Sequence, residues 1–213
     1  VIGDELTATD TTDFSPFLLK IRQTKPDLVA TNLGGNQVTN FVKQYAEFGI
    51  AYPVAGFNLN TADAWAAGEG NLAGIWPTVW HHELDTPGSK AFVAAFRKKY
   101  GKPPENHAWI EYVSLKIMAQ AIAATKSTDT DKLIAYFESQ AEFDLLKGRK
   151  GYFRSWDHQL IQEAYSFTVK PKGRAKDKWD FLQFSAAVPA PNQPLASAFS
   201  RTRPITTAVS AMK

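Results

Sequence analysis

Three groups of residues in this 213-residue chain have types and spacings that invite chemistry. The first is Gly34-Gly35, set between an apolar run and a helical period, with Asn36 and Gln37 directly after it. A strand–glycine–helix junction can cradle a phosphate. This one lacks the G-x-G-x-x-G spacing and the acidic residue that a ribose requires. Two readings remain: a tight turn where helix and sheet pack closely, or helix N-terminal amides that donate, beside Asn36 and Gln37, to a small polar ligand. The second group is His81-His82-Glu83. Adjacent histidines on a strand point to opposite faces and chelate poorly as a pair, so a structural or surface role is expected and a metal is not. His107 and His158 stand alone. The third group is aromatic: six Trp, seven Tyr and fourteen Phe. Trp65, Trp76, Trp80 and Trp109 fall near expected strand ends or loops, where such rings fill a core or wall a ligand cleft.

Reactive chemistry has little support. The chain has no cysteine, which excludes disulfides, thiolate metal sites and thiol catalysis. No G-x-S-x-G elbow is present, and no Asp or Glu sits in a motif that demands a reactive role. The expectation is a protein that is not an enzyme and needs no cofactor, with an α/β enzyme as a distant alternative. Composition is that of an ordinary globular protein, 44% hydrophobic and 21% charged, with a formal net charge of +3. The basic stretch 170–178 lacks interleaved stacking aromatics and reads as a solvated loop, so no nucleic-acid partner is expected. No apolar run approaches the roughly 18 residues needed to span a bilayer. A chain opening on Val1 is read as a fragment or as one whose leader was removed.

The elements that must position these groups alternate between two periods. Residues 1–6 read as a strand end, and residues 11–13 as N-cap side chains for a helix carrying Phe14, Leu18 and Ile21. Residues 27–33 form an apolar run suited to a buried parallel strand. Val38, Phe41, Val42, Tyr45 and Phe48 follow at helical spacing, with Gly49 at the C-terminal αL position. Further strands are expected at 53–57 and 73–79. Alternation of this kind implies right-handed βαβ units. The middle reads as three helices, at 87–100, 108–125 and 129–140. The last third reads as strands at 151–154 and 163–170 flanking the turn Trp156-Asp157-His158-Gln159, then a strand at 179–188 and a proline-rich tail.

The order Asp13-Phe14-Ser15-Pro16, Ile21, Lys25-Pro26-Asp27, Gly34-Gly35 resembles the opening of the second lobe in type I periplasmic solute-binding proteins of ABC transporters, the branched-chain amino-acid receptor family. The likeness continues through Asp85-Thr86-Pro87, Ala91-Phe92, Tyr100-Gly101-Lys102-Pro103-Pro104, Tyr112, Lys147-Gly148 and Trp156-Asp157-His158-Gln159, and so covers roughly residues 1–170. The resemblance implies an α/β fold: a Rossmann-like parallel-sheet lobe plus the helical part of a second lobe, together an incomplete type I periplasmic binding protein. Residues 1–80 and 165–190 would form the second lobe, residues 81–164 part of the first, and residues 191–213 a C-terminal extension. The chain would cross between lobes near 78–82 and return near 164–165.

What the family does then becomes the expectation. The complete protein would bind a small molecule between hinged lobes outside the cytoplasm, in the periplasm of a Gram-negative cell, and hand it to the ABC transporter's membrane permease. A ligand-sensing regulator or chemoreceptor of the same fold is the alternative. Carried over residue by residue, the family's contacts fall on Asn36 and Gln37 after the Gly-Gly strand, on Asn58 after the next, and on His107 before the long helix; Gly35, Phe57 and Trp80 join the expected ligand site by their placement at strand ends and hinge positions. Asn58 stands where the amino-acid receptors place an acidic residue for the ligand ammonium. An amide brings no charge, and a buried ammonium needs one or several strong acceptors. The ligand is therefore expected to be amino-acid-like, an organic or aromatic acid, or an amide, rather than a simple zwitterion. The first-lobe strands would come from the N-terminal half of the same protein as a separate chain, or a second copy would take their place. Otherwise Phe92, Phe96, Ile110, Val113 and Ile117 would lie exposed, and residues 1–213 would not fold alone as a monomer.

Overall fold

A computed structural model describes residues 1–198 apart from 58, 70, 71 and 172. The expected βαβ alternation is present. Helix α1 (Ser15–Thr24) leads to β1 (Val29–Thr31), α2 (Asn36–Glu47), β2 (Val54–Gly56), α3 (Thr61–Ala67) and β3 (Trp76–Thr78). Strands β1 and β2 pair in parallel, with Val29 opposite Val54 and Thr31 opposite Gly56. A parallel bridge from Ala55 to Ile75 carries the sheet on to β3. Two later strands complete it: β6 (Tyr165–Val169) runs antiparallel to β3, and β7 (Leu182–Phe184) antiparallel to β6.

Apolar periodicity explains the packing here. Val38, Phe41, Val42 and Tyr45 form the buried face of α2, and they meet Phe14, Leu18, Val54, Trp76 and Phe167 in one core. Gly56 sits where that core leaves no space. A Cβ at this position would lie 2.1 Å from the Trp76 ring and 2.9 Å from the Thr31 carbonyl oxygen. Neither neighbour is the loose end of a flexible chain. Gly56→Ala is expected to cost roughly 1–3 kcal/mol through overpacking, read as a lowered urea midpoint in the complete protein.

The helical middle follows the sequence closely. Helix α4 (Pro87–Tyr100) starts on Thr86, whose hydroxyl accepts from the Ser89 N–H at 3.2 Å, and ends on Gly101 at φ +69°. Helix α5 (Asn106–Thr125) begins two residues before the expected Ala108. The Glu105 carboxylate accepts from the His107 and Ala108 N–H groups at 2.6 and 2.7 Å and so fixes the start. Helix α6 (Thr130–Glu138) is capped by Asp129.

A second core lies under these helices: Trp80, Trp109, Val113, Ile117, Phe143, Leu145 and Leu146. This corrects the expected exposure of the helical stripe. Val113 and Ile117 are buried within the described chain, and Phe92, Phe96 and Ile110 are half-buried. The cover comes from Trp80 and from segment 143–146. The apolar residues left open lie elsewhere on α4 and α5: Tyr100, Tyr112, Leu115 and Met118. Leu115 is the extreme, at 73% exposure.

Three further expectations change. Residues 1–6 form no strand; Glu5 instead meets Lys20 at 2.9 Å on the surface. The α2 amides hold the segment that follows: Gln37 donates to the Ala8 carbonyl at 2.6 Å and Gln44 to that of Thr12 at 2.8 Å. The first N-cap position of α1 is Phe14, not residues 11–13, although Asp13 still accepts from the Ser15 N–H. Around the Trp156 turn, the hairpin is β4 (Tyr152–Phe153) with β5 (Leu160–Ile161), while β6 leaves to join the main sheet. Of the expected C-terminal extension, residues 199–213 lie outside the described residues.

Candidate functional site

Parallel strands bring their carboxyl ends to one edge of a sheet, and ligands of open α/β folds collect there. Thr31 and Gly56 are register partners at those ends of β1 and β2, so the loops after them are neighbours. The first loop carries Gly35 at φ +54°, then Asn36 as the first, exposed residue of α2. The second carries Phe57, 71% exposed. Asn58 lies outside the described residues. Gln37 is close by but turned to the N-terminal segment, where its amide is engaged by Ala8.

His107 is exposed at the start of α5. The helix is held against the second loop by a buried polar cluster. Asn106 Oδ1 accepts from both the backbone N–H and the hydroxyl of Thr61, each at 3.2 Å. Thr61 Oγ in turn accepts from the Asn106 N–H at 3.2 Å, and Asn106 Nδ2 donates to Asn60 Oδ1 at 3.4 Å. The loops bearing Phe57 and His107 are thus joined. Trp80 is not part of that grouping. It is fully buried in the second core, stacked on Trp109, and donates to Ser89 Oγ at 2.9 Å.

A second polar centre lies beyond the ends of β3 and β6, which run side by side with Thr78 opposite Tyr165. Lys147 is buried there. Its ammonium donates to Gln162 Oε1 and to the Glu163 carbonyl, both at 2.7 Å, and lies 4.7 Å from the Trp109 ring centre and 5.8 Å from that of Tyr165. The buried Glu163 carboxylate accepts from Arg149 Nε at 2.8 Å and from the Tyr165 hydroxyl at 2.9 Å. Arg149 also donates to the carbonyls of Pro189 and Gln193. His81 stacks on Phe184 with ring centres 4.0 Å apart, and its Nδ1 is buried without a hydrogen-bond partner. A cavity of about 320 Å³ opens beside this centre, lined by His81, Glu83, Thr86, Gly148, Glu163 and Tyr165 among others. A second, of about 410 Å³, lies among Ile117, Met118, Ile134, Phe137 and Leu160. Of the residues picked from the sequence, the six that lie among the described residues line neither cavity. Among the described residues, no group of three or more His, Cys, Asp or Glu side chains could hold a metal ion.

Burial sets the protonation of this centre. Desolvation is the largest cause of the drop of Lys147 to about 7, with the Glu163 charge opposing it. The fold therefore holds fewer protons on Lys147 than the unfolded chain does between about pH 7 and the ordinary lysine value of 10.5. Stability attributable to this group rises with pH across that window and is lowest below it. Lys147→Met in the complete protein is expected to remove a slope of about 1.4 kcal/mol per pH unit between pH 7.5 and 9.5. Urea unfolding at three pH values measures it, and parallel wild-type and variant curves would contradict it.

Sequence reasoning did not find Lys147, Glu163, Thr61 or Asn106 as polar centres. The signal for Lys147 was a lysine directly after Leu145-Leu146, where an apolar run enters a glycine turn. Thr61 and Asn106 are 45 residues apart and carry no such mark.

Comparison with known proteins agrees with this architecture. The model of the periplasmic binding protein family matches residues 1–175. A Leu/Ile/Val-binding protein homologue of Brucella abortus is 28% identical over 138 residues, 59% of this chain and 34% of that one. An amino acid ABC transporter substrate-binding protein from Pseudomonas fluorescens superposes with a TM-score of 0.78 at 25% identity, covering 87% of this chain and 50% of its own. A branched-chain amino acid ABC transporter periplasmic ligand-binding protein from Burkholderia xenovorans gives 0.72 at 26%, covering 90% and 50%. The chain thus spans about half the length of these solved relatives and one third of the Brucella protein. With the type I α/β architecture and a family match over most of its length, the chain belongs to the periplasmic binding protein family.

Proposed function

We propose that this chain supplies the second lobe, and the helical part of the first, of an extracytoplasmic solute-binding protein that serves an ABC importer. The observation that carries this reading is the split of the interior into two cores on either side of the crossing strands. One core draws on residues between Phe14 and Trp76 and again between Phe167 and Leu182; the other runs from Trp80 to Leu146. That split supports a second lobe of residues 1–80 and 165–190 and a first-lobe part of residues 81–164, with Val79 and Trp80 at the boundary already packed into the first-lobe core. The apolar face around Tyr112, Leu115 and Met118 suits cover by the N-terminal half of the same protein, with a second copy as the other source. The membrane permease would be the partner of the closed, loaded form, and the protein binds its solute without transforming it.

The ligand would sit over the carboxyl ends of β1 and β2, between Gly35, Asn36 and Gln37 on one loop, Phe57 and Asn58 on the next, and His107 on α5. Trp80 supports that site from within the second core. An uncharged amide at Asn58 favours an organic or aromatic acid, or an amide, over a zwitterionic amino acid. Calorimetry on the complete protein tests this. An aromatic or aliphatic carboxylic acid lacking an ammonium group is expected to bind at micromolar or lower Kd. Tight binding of leucine, isoleucine or valine, with no such acid bound, would overturn the ligand class. A thermal-shift screen checks the wider reading, since a molecule that binds only the native state raises the melting temperature.

A further inference from the structure

Among the described residues, Thr61 and Asn106 form a buried contact set that joins the two cores on the loop side. We propose that these two residues form a latch between the cores that sets the spacing of the loops carrying Phe57 and His107, and with it the width of the ligand cleft. The inference rests on the two-lobed reading above and adds to it the residues that govern closure.

Position is the first argument. Thr61 opens α3, whose Ala64 and Ala67 belong to the first core, while Asn106 opens α5, whose Trp109 and Val113 belong to the second. The contact therefore spans the two bodies. It lies four residues after Phe57 and one before His107, so neither loop can move far while it holds.

Chemistry is the second. Thr61 is 1% and Asn106 6% exposed, so their polar atoms have lost water and need partners. They find them in each other: two donors from Thr61 meet Asn106 Oδ1, and the Asn106 N–H returns to Thr61 Oγ. Backbone N–H groups of the first turn of each helix have no partner inside the helix. Here Thr61 N and Asn106 N are both satisfied across the gap. The distances, 3.2 Å for each of these three bonds, are at the long end of the normal range. A contact of this kind opens more readily than a packed apolar core would, because water can replace each bond.

Asn60 adds a backstop. Its amide nitrogen donates to Asp63 Oδ2 at 3.0 Å, which leaves its carbonyl oxygen turned to Asn106 Nδ2. Thr61→Ser keeps the hydroxyl and should keep the latch. Thr61→Val is isosteric and removes only the hydroxyl, with its one donated and one accepted bond. Asn106→Ala removes the opposite side.

The test uses the complete protein, with cysteines placed at Glu47 on α2 and Lys98 on α4, both exposed and on opposite cores. This chain has no cysteine of its own, and any elsewhere in the protein is changed to serine. Nitroxide labels then report the distance between the cores by pulsed electron resonance, with no ligand added. Thr61→Val and Asn106→Ala each remove two or more net hydrogen bonds, so each should raise the long-distance fraction roughly tenfold, while Thr61→Ser stays at the wild-type value. Circular dichroism melts identify any variant that fails to fold, and where Asn106→Ala does so, Thr61→Val carries the test. Two distance populations in the wild type that no variant alters would overturn the latch and leave the two-lobed reading intact. One narrow population unaltered by all of them would overturn both.

Discussion

Replacing His81 by Phe is expected to make the complete protein markedly more resistant to acid, with a small effect at neutral pH. His81 is 7% exposed, stacked on Phe184 and set edge-on to Tyr165 with ring centres 5.0 Å apart. Burial is the main reason its pKa falls to about 3 from the usual 6.5, with His82 and Lys147 adding charge repulsion. The folded protein therefore keeps His81 neutral, while the unfolded chain takes up a proton below pH 6.5. Stability from this group is intact above 6.5 and is lost as pH falls toward 3. At pH 4.5 the difference amounts to two pH units, or about 2.7 kcal/mol. His82, lowered to about 4 chiefly by burial, pulls in the same direction in wild type and variant alike.

Phe retains both ring contacts and removes the unpartnered Nδ1. At pH 7.5 the variant should lie within about 1.5 kcal/mol of wild type, because a near-isosteric swap trades slight overpacking against the loss of a buried polar atom. At pH 4.5 it should gain about 2–3 kcal/mol relative to that baseline. Urea unfolding at pH 7.5, 6.0 and 4.5 decides it. Curves that fall in parallel would show that His81 is solvated and that its isolation is not real.

The sequence made the helices of the middle segment easy to read, because helical spacing and breakers depend on residues near one another, while the caps at Phe14 and Glu105 were not read. Pro87 and Gly101 mark the two ends of α4 without reference to anything distant. Strand partners were harder. The run at 163–170 looks like the return arm of a hairpin from 151–154, yet its core is β6, which pairs with β3 nearly ninety residues earlier. Nothing local distinguishes those choices, since alternation fixes which face is buried but not which edge is paired. The candidate site divides in the same way. The loops bearing Gly35, Asn36 and Phe57 follow β1 and β2, and that placement was legible because carboxyl ends of parallel strands follow from the βαβ order; their choice as ligand contacts came from the family resemblance. The Lys147 centre was not, because its meaning depends on Glu163, Arg149 and Tyr165 meeting it in space.

Truncating Trp80, which is fully buried in the second core, should expose the difference between a wall of the cleft and a beam beneath it. Its ring lies parallel to Trp109 within 4°, Phe92 packs against it at 5.7 Å between centres, and Lys147 covers the next ring along. The indole N–H donates to Ser89 Oγ, whose own proton goes to the Leu146 carbonyl at 2.8 Å. Trp80→Ala would leave a cavity of indole size and strip Ser89 of a donor. The expected cost is about 3–5 kcal/mol, a large share of the 5–15 kcal/mol that keeps a domain folded. Trp80→Phe keeps most of the stacked area and loses the Ser89 bond, so its cost should be smaller, about 1–3 kcal/mol. Thermal melts of the complete protein rank the two. Ligand affinity, measured by calorimetry on whatever fraction remains folded, should stay within a few-fold of wild type for Trp80→Phe, because the ring has no exposed surface to offer a solute. A stable Trp80→Ala protein with affinity reduced a hundredfold would reverse this assignment and return Trp80 to the cleft.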